Sequence, residues 1–142
     1  MSRQNPTVII ALGGNAISPK NESGNIEKQF EHTRESLNAM MHFVKERYNI
    51  CITHGNGPQV GAELLKNEIT KDTIPSLPLG VLVANTQGAI GYMIQQTLQN
   101  ALQKKDVDRE VVTFISQVIV DKNDPTIKNP TKFIGKSYSK KE

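Results

Sequence analysis

Two short apolar runs, each closed by glycine, restrict the chain to a small set of folds. The first is TVIIAL at Thr7–Leu12, which leads directly into Gly13-Gly14. The second is NICIT at Asn49–Thr53, which is followed by His54 and Gly55. Runs of this length, rich in β-branched residues and ended by glycine, are typical of strands buried on both faces of a parallel sheet. We therefore expect two such strands, lying next to each other.

Segments with helical periodicity separate and follow these runs. Apolar residues at spacings of three, four and seven predict a helix over Asn25–Arg47, and apolar residues along one side predict another over Leu79–Lys104. Pro58, which suits a first helical position, predicts a helix over Pro58–Ile69. Residues Glu110–Val120 (EVVTFISQVIV) predict a third strand, and the polar tail after Val120 has neither period. Strands alternating with helices indicate an α/β fold with a mainly parallel sheet and right-handed crossovers.

Two glycines interrupt the longest predicted helix. Gly88 and Gly91 lie in its middle, where glycine costs roughly 1 kcal/mol relative to alanine. We therefore expect this stretch to make a close contact, either with loops of a functional site or with a partner subunit.

Composition excludes several classes of protein. Of the 142 residues, 37% are apolar and 22% are charged, and the net charge is +3. No apolar run approaches the roughly 20 residues that span a membrane, so no membrane association is expected. Cys51 is the only cysteine, which predicts a reduced, cytoplasmic protein with an inert core thiol. Histidine, cysteine and acidic residues do not cluster at metal-ligand spacing, so no metal site is predicted.

Much of the positive charge lies in the tail, without the arginine and aromatic partners that nucleic-acid binding uses. We therefore expect no nucleic acid as a partner. Most of these lysines are expected to be solvated, and one could serve an anionic small molecule. The tail lysines are Lys128, Lys132, Lys136, Lys140 and Lys141.

The glycine loops after the first two strands are the candidate functional segments. Gly13-Gly14-Asn15 and Gly55-Asn56-Gly57 each combine glycine with asparagine at the expected carboxyl end of a strand. Ligands of open α/β sheets bind at that edge, where glycine lets backbone N–H groups approach an anion. A lone loop of this kind is more simply a tight turn that needs positive φ. Two of them favour an anion site, and the helix predicted from Pro58 would add its N-terminus.

Five segments in order resemble the carbamate kinases. They are VIIALGGNAI, THGNGPQVG, TQGAIGY (Thr86–Tyr92), SQVIVD (Ser116–Asp121) and NPTKFIG (Asn129–Gly135). The resemblance implies an amino-acid-kinase fold, an αβα sandwich around a mainly parallel sheet. It also implies reversible phosphoryl transfer in which ATP and carbamate give ADP and carbamoyl phosphate. Magnesium is the implied cofactor, held mainly by a C-terminal domain. Such enzymes are cytoplasmic homodimers that serve fermentative arginine catabolism.

The resemblance also implies roles for individual residues. Gly13, Gly14 and Asn15 would bind carbamoyl phosphate, and Gly55, Asn56 and Gly57 would bind it from the opposite side. The catalytic cation would be Lys132, in a protruding mobile subdomain. Phe133 departs from the family, which usually has proline there.

The resemblance divides the chain as well. Residues 1–120 would form the carbamoyl-phosphate-binding α/β domain, and residues 121–142 would begin the mobile subdomain. The nucleotide-binding domain of the family would lie outside this sequence, so the 142 residues alone are expected to be inactive.

Two alternatives remain at this stage. One is another amino-acid kinase acting on a carboxylate, although such enzymes commonly have a lysine in the first glycine loop and here no lysine precedes Lys20. The other is a non-catalytic domain that binds anions or dimerises.

Overall fold

The computed structural model describes residues 5–18 and 25–135, although not the side chain of Asn15. The elements in chain order are β1 (Thr7–Leu12), α1 (Gly14–Ile17), α2 (Ile26–Asn38), α3 (Met41–Lys45), β2 (Asn49–His54), α4 (Gly57–Thr70), α5 (Leu79–Gln103) and α6 (Pro125–Lys128). The chain forms two compact units, Met1–Gly55 with Gly91–Thr113, and Asn56–Ile90 with Phe114–Glu142. None of the helices in the described ranges is both long enough and apolar enough to cross a membrane.

The two predicted strands β1 and β2 form and pair in parallel. Their register runs from Thr7 opposite Asn49 to Leu12 opposite His54. The prediction that both faces are buried is wrong, because burial alternates along each strand. Ile9 is 71% exposed, and Cys51 opposite it is exposed as well. Alternating burial means that only one face of the described sheet is covered, so Cys51 is not a core thiol.

The helix predicted over Asn25–Arg47 is present but interrupted. It begins where expected, because the Asn25 side chain accepts a hydrogen bond from the Lys28 backbone N–H and caps α2. Between α2 and α3, Met40 N–H bonds to the Leu37 carbonyl, three residues back instead of four. This tighter bond ends the regular α-helical pattern, so the prediction of one continuous helix is wrong.

The C-terminal ends of α3 and α5, both in the first unit, have the same backbone motif. Arg47 follows α3 with φ of 59°, and Tyr48 N–H returns to the Phe43 carbonyl. Asp106 follows α5 with φ of 54°, and the next N–H returns to the Leu102 carbonyl. Both are Schellman caps, which satisfy carbonyls at a helix C-terminus and turn the chain sharply. They fix the direction in which the chain enters β2 and the segment after α5.

The third predicted strand, Glu110–Val120, does not form among the described residues, and this prediction is wrong. In the first unit its backbone is bound by glutamine side chains of α5. Gln99 donates to the Arg109 carbonyl and accepts from the Val111 N–H, and Gln95 donates to the Val111 carbonyl. These amides use the same backbone donors and acceptors that a neighbouring strand would use.

In the second unit, another glutamine of α5 binds the backbone of the same segment in the same way. Gln87 accepts from the Ser116 N–H at 2.8 Å and donates to the Ser116 carbonyl at 3.3 Å. The apolar side chains of this stretch are uncovered by the described residues, with Phe114 84% and Ile119 97% exposed. The segment therefore has the sequence of a strand without a strand partner.

The close contact predicted for the glycines of α5 is found at Gly91 alone, and with a different neighbour from those expected. A Cβ at Gly91 would overlap the side chain of Thr113, whose hydroxyl donates to the Gly91 carbonyl at 3.1 Å. A Cβ at Gly88 would lie 3.8 Å from Ile115. The neighbour is thus the segment that follows α5 in the same chain, and neither a site loop nor a partner subunit is needed to explain these glycines.

Replacing Gln99 by leucine should destabilise the 142-residue chain by about 1–2 kcal/mol, because two backbone groups lose their partner. Urea denaturation followed by circular dichroism measures the change. Gln103→Leu is the matched control on the same helix, since Gln103 is exposed and forms no side-chain hydrogen bond with the described residues. Equal stability of the two variants would show that the glutamine contacts do not hold the segment.

Candidate functional site

Gly14 and Gly55, which begin to extend the chain beyond β1 and β2, lie close together in the first unit. Gly55 N–H donates to the Leu12 carbonyl at 3.3 Å, which extends the pairing of the strands by one residue. A Cβ on Gly55 would lie 4.0 Å from the Gly14 backbone nitrogen. Parallel pairing brings the ends of both strands to the same edge of the sheet, so the predicted proximity of the two glycine loops is confirmed for Gly14 and Gly55.

The glycines of these loops are not explained by turn geometry. Among the described glycines only Gly135 has positive φ, so Gly13, Gly55 and Gly57 adopt backbone conformations open to other residues. A Cβ would have no neighbour within 4 Å at Gly13 or Gly57, and would only just reach Gly14 from Gly55. The described chain thus provides neither a conformational nor a packing reason for glycine at these three positions. The interpretation as tight turns that need positive φ is therefore wrong.

Asn56 and Gly57 follow Gly55 and begin the second unit. Helix α4 begins at Gly57, with proline in its first turn as predicted, and Val60 N–H bonds to the Asn56 carbonyl. The N–H groups of a first helical turn have no partner inside the helix and carry the positive end of its dipole. The Asn56 side chain does not cap α4 but instead donates to Thr86 at 2.9 Å and to the Val83 carbonyl at 3.3 Å.

The lysine segment is tied to α4 by a contact between two glycines. Gly135 has φ of 83°, and its backbone packs directly on Gly61 in α4. A Cβ on either glycine would overlap the backbone of the other. Lys132 is three residues before Gly135, so its Cα lies within about 11 Å of the Gly135 Cα. Gly135 is therefore a point of attachment for the Lys132 segment.

The chain before Lys132 is ordered by local hydrogen bonds. Asp124 caps the single turn α6, accepting from the Thr126 hydroxyl and backbone N–H, and these bonds lower the pKa of Asp124. Lys132 is exposed and Phe133 is 90% exposed. Lys136, Lys140 and Lys141, expected to be solvated charges, lie outside the described residues, as does the side chain of Asn15.

Two residues of this region were not singled out by sequence reasoning. Thr86 and Gly61 both lie within segments that carry the family resemblance, but no role was predicted for either. A threonine inside a helix and a glycine early in a helix both have ordinary sequence explanations. Only coordinates reveal that Thr86 holds the Asn56 amide and that Gly61 contacts Gly135.

The candidate site residues include no carboxylate that could bind magnesium. Magnesium prefers carboxylate and water oxygens in octahedral geometry. The candidate residues supply glycine backbone, asparagine amides and one lysine, and no group of three histidine, cysteine or acidic residues in the described ranges could hold a metal ion. Among the described residues, the one hydrogen-bond contact of the His54 side chain joins its Nδ1 to the Gly55 carbonyl oxygen, at 3.3 Å. This donor set suits an anionic ligand.

Comparison with known proteins places this chain among relatives of known activity. No family model matches the chain. The carbamate kinase of Pyrococcus furiosus is 46% identical over 133 residues, which cover 92% of this chain and 42% of the relative. The chain is homologous to the carbamate kinases. Carbamate kinase from Giardia lamblia bound to citric acid superimposes with a TM-score of 0.90 at 36% identity, covering 96% of this chain and 44% of that one. The same enzyme bound to AMP-PNP gives a TM-score of 0.88, again at 36% identity, covering 96% and 43%.

These comparisons confirm the predicted fold class. The α/β architecture with its parallel strand pair is that of the carbamate kinases, which have the amino-acid-kinase fold. The chain spans about two fifths of the length of the curated relatives it matches, as the 42% coverage of the Pyrococcus enzyme indicates. The homology therefore concerns less than half of a carbamate kinase.

Proposed function

We propose that this chain supplies the carbamoyl-phosphate side of a carbamate kinase. In the direction that makes ATP, the bond between the carbamoyl oxygen and phosphorus breaks. A new bond forms between phosphorus and the terminal phosphate oxygen of ADP, and carbamate leaves. Gly13, Gly14 and Asn15 bind the substrate together with Gly55, Asn56 and Gly57, and Lys132 is the catalytic cation. Homology at 46% identity supports the reaction class.

The three glycines without a structural reason carry this proposal. Gly13, Gly55 and Gly57 have ordinary φ, and the described chain leaves space where their Cβ atoms would be. Glycine at such positions is explained when a ligand occupies that space and approaches the backbone closely. An anion bound to N–H groups is the ligand that these loops and the start of α4 suit best.

These residues act by positioning and by charge. Phosphoryl transfer requires little covalent chemistry from the protein, which must hold the donor and acceptor in line and stabilise the charge that spreads over the phosphoryl oxygens. The backbone N–H groups of the glycine loops orient the phosphoryl group but carry no full charge. Lys132 adds one positive charge, which strengthens its interaction as the transition state forms.

The remaining features of the family are part of the proposal. ATP and ADP are the nucleotide partners, supported by the AMP-PNP complex of the Giardia enzyme. Magnesium accompanies the nucleotide and is bound mainly outside the described residues, among which no three histidine, cysteine or acidic residues form a group that could hold it. Residues 1–120 form the substrate domain, and residues 121–142 begin the mobile subdomain. The complete protein works in the cytoplasm as a homodimer, in fermentative arginine catabolism.

Alanine at Gly13 or Gly55 should abolish most activity without loss of stability. In the complete enzyme we expect kcat/KM for carbamoyl phosphate to fall by about 10²-fold or more, because the Cβ occupies the space of the ligand. The melting temperature should stay the same or rise slightly, since alanine is compatible with the backbone at both positions. Coupled assays of ATP formation and thermal melts measure the two effects.

Gly80→Ala is the matched control for these variants. Gly80 lies in α5, and a Cβ there also meets nothing within 4 Å, but it belongs to neither glycine loop. Its kcat/KM should be unchanged. Full activity of Gly13→Ala and Gly55→Ala would contradict a ligand at these glycines, and with it the proposed site.

A further inference from the structure

The NH2 end of the Asn56 amide has two oxygen atoms within hydrogen-bond distance. Its Nδ2 lies 2.9 Å from Thr86 Oγ1 and 3.3 Å from the Val83 carbonyl oxygen. A carbonyl can only accept a hydrogen bond, whereas a threonine hydroxyl can either donate or accept. To know which end of the amide faces Thr86, one must therefore know whether the Thr86 hydroxyl donates its proton to Asn56 or to another acceptor.

The Thr86 proton is already used inside its own helix. Thr86 Oγ1 lies 3.0 Å from the Leu82 carbonyl and 2.9 Å from the Val83 carbonyl, so the hydroxyl donates to the preceding turn of α5. Thr86 is only 4% exposed, so the hydroxyl has little access to solvent. Toward Asn56 it can then only accept. Both neighbours require the NH2 end of the amide, and the Oδ1 end is turned away from them.

We propose that Thr86 is a positioning residue that presents Asn56 Oδ1 as an acceptor for the amino group of carbamoyl phosphate. The inference rests on the proposed function, in which Asn56 contacts this substrate. Thr86 does not touch the substrate itself. It acts through Asn56, whose side chain is half-buried and makes no cap to α4.

This arrangement accounts for selection between acyl phosphates. Carbamoyl phosphate carries an NH2 group that can donate to Oδ1, whereas acetyl phosphate carries a methyl group at the same position. A site that accepts from a substrate N–H discriminates against the analogue that lacks it, because the acceptor then loses its partner. An amide with the opposite orientation would present NH2 to the substrate NH2 and lose this selection.

The test is the ratio of kcat/KM for carbamoyl phosphate to kcat/KM for acetyl phosphate, measured as ATP formation by the complete enzyme. Thr86→Val keeps the shape of the side chain but removes the shorter of the two hydrogen bonds, so the Asn56 amide is held only by the 3.3 Å bond to the Val83 carbonyl and its orientation is weakly fixed. We expect the ratio to fall by about tenfold, the value of one hydrogen bond of roughly 1.4 kcal/mol. The KM for ADP should not change.

Two variants separate positioning from a general structural effect. Thr86→Ser retains the hydroxyl and should restore the wild-type ratio. Thr97→Val makes the same replacement at another buried threonine of α5, in the first unit, and should leave the ratio unchanged. If Thr86→Val lowers activity with both substrates equally, the role of Thr86 is only structural and the inference is wrong.

Failure of the inference and failure of the proposed function give different results. A wild-type enzyme that makes no ATP from carbamoyl phosphate contradicts the proposed function and removes the substrate that the inference needs. An active wild type with an unchanged ratio in Thr86→Val contradicts the inference alone. Side-chain amide NMR adds a readout without turnover, because slow exchange of the Asn56 NH2 protons should be lost in Thr86→Val but kept in Thr86→Ser.

Discussion

Replacing Lys132 by alanine in the complete enzyme should lower kcat for ATP formation by about 10²–10³-fold. The glycine loops contain no lysine or arginine, so Lys132 supplies a full positive charge that their backbone donors lack. A transferring phosphoryl group gains most from such a charge in the transition state, and the loss should therefore fall on turnover as well as on affinity for carbamoyl phosphate. The KM for ADP should change little.

Lys128→Ala is the matched control, because Lys128 is a tail lysine that lies within the described residues. Lys128 ends α6 in the same tail and is exposed, without the link to α4 that Gly135 gives the Lys132 segment. Lys136→Ala and Lys140→Ala, which lie outside the described residues, should also behave as surface changes. Steady-state kinetics and thermal melts on all four variants make the comparison. Small effects of equal size in all four variants would contradict a catalytic role for Lys132 and would mean that it is an ordinary solvated lysine.

Sequence periodicity was sufficient for the elements that position the site. The β-branched runs at Thr7–Leu12 and Asn49–His54 became the parallel pair, and α4 and α5 end within one residue of their predicted limits. These elements follow from local signals, namely apolar spacing, a proline in a first helical turn and glycine after a strand. Because parallel strands end at one edge, the proximity of Gly14 and Gly55 followed from the sequence too.

The strand predicted over Glu110–Val120 shows where local patterns stop being sufficient. A strand requires a partner backbone, and that partner is not specified by the residues of the strand itself. Here the side chains of Gln87, Gln95 and Gln99 satisfy backbone groups of the segment instead. Apolar side chains such as Phe114 and Ile119 were the reason for predicting a buried strand, but they are exposed among the described residues.

In the candidate site, too, the sequence predicted the residue types and their places but not their contacts. Glycine and asparagine at strand ends were visible in the sequence, but the reason for each glycine was not. Gly13 and Gly57 have open space where a Cβ would be, whereas Gly61 is filled by the Gly135 backbone and Gly91 by Thr113. Identical residues thus have different surroundings, and only the neighbours show which glycine is required by packing and which has open space beside it.

The largest effect is expected when the 142 residues are tested alone. We expect ATP formation from ADP and carbamoyl phosphate below detection, a loss of at least about 10⁵-fold, since effective molarities of 10⁵ M and more depend on both reactants being held in place. No group of three histidine, cysteine or acidic residues in the described ranges could hold a metal ion by itself, and the relatives are more than twice as long as the matched region. Without a bound nucleotide, a positioned phosphoryl donor has no acceptor in line.

The measurement compares the purified 142-residue chain with the complete enzyme at equal concentration, using a coupled assay that detects newly formed ATP. A cooperative thermal melt of the short chain is the necessary control, because an unfolded chain would be inactive for a trivial reason. Robust ATP formation by the folded short chain would contradict the expectation and would mean that these residues bind both substrates. A folded but inactive chain would indicate that the residues which position ADP, the phosphoryl acceptor, are not among these 142.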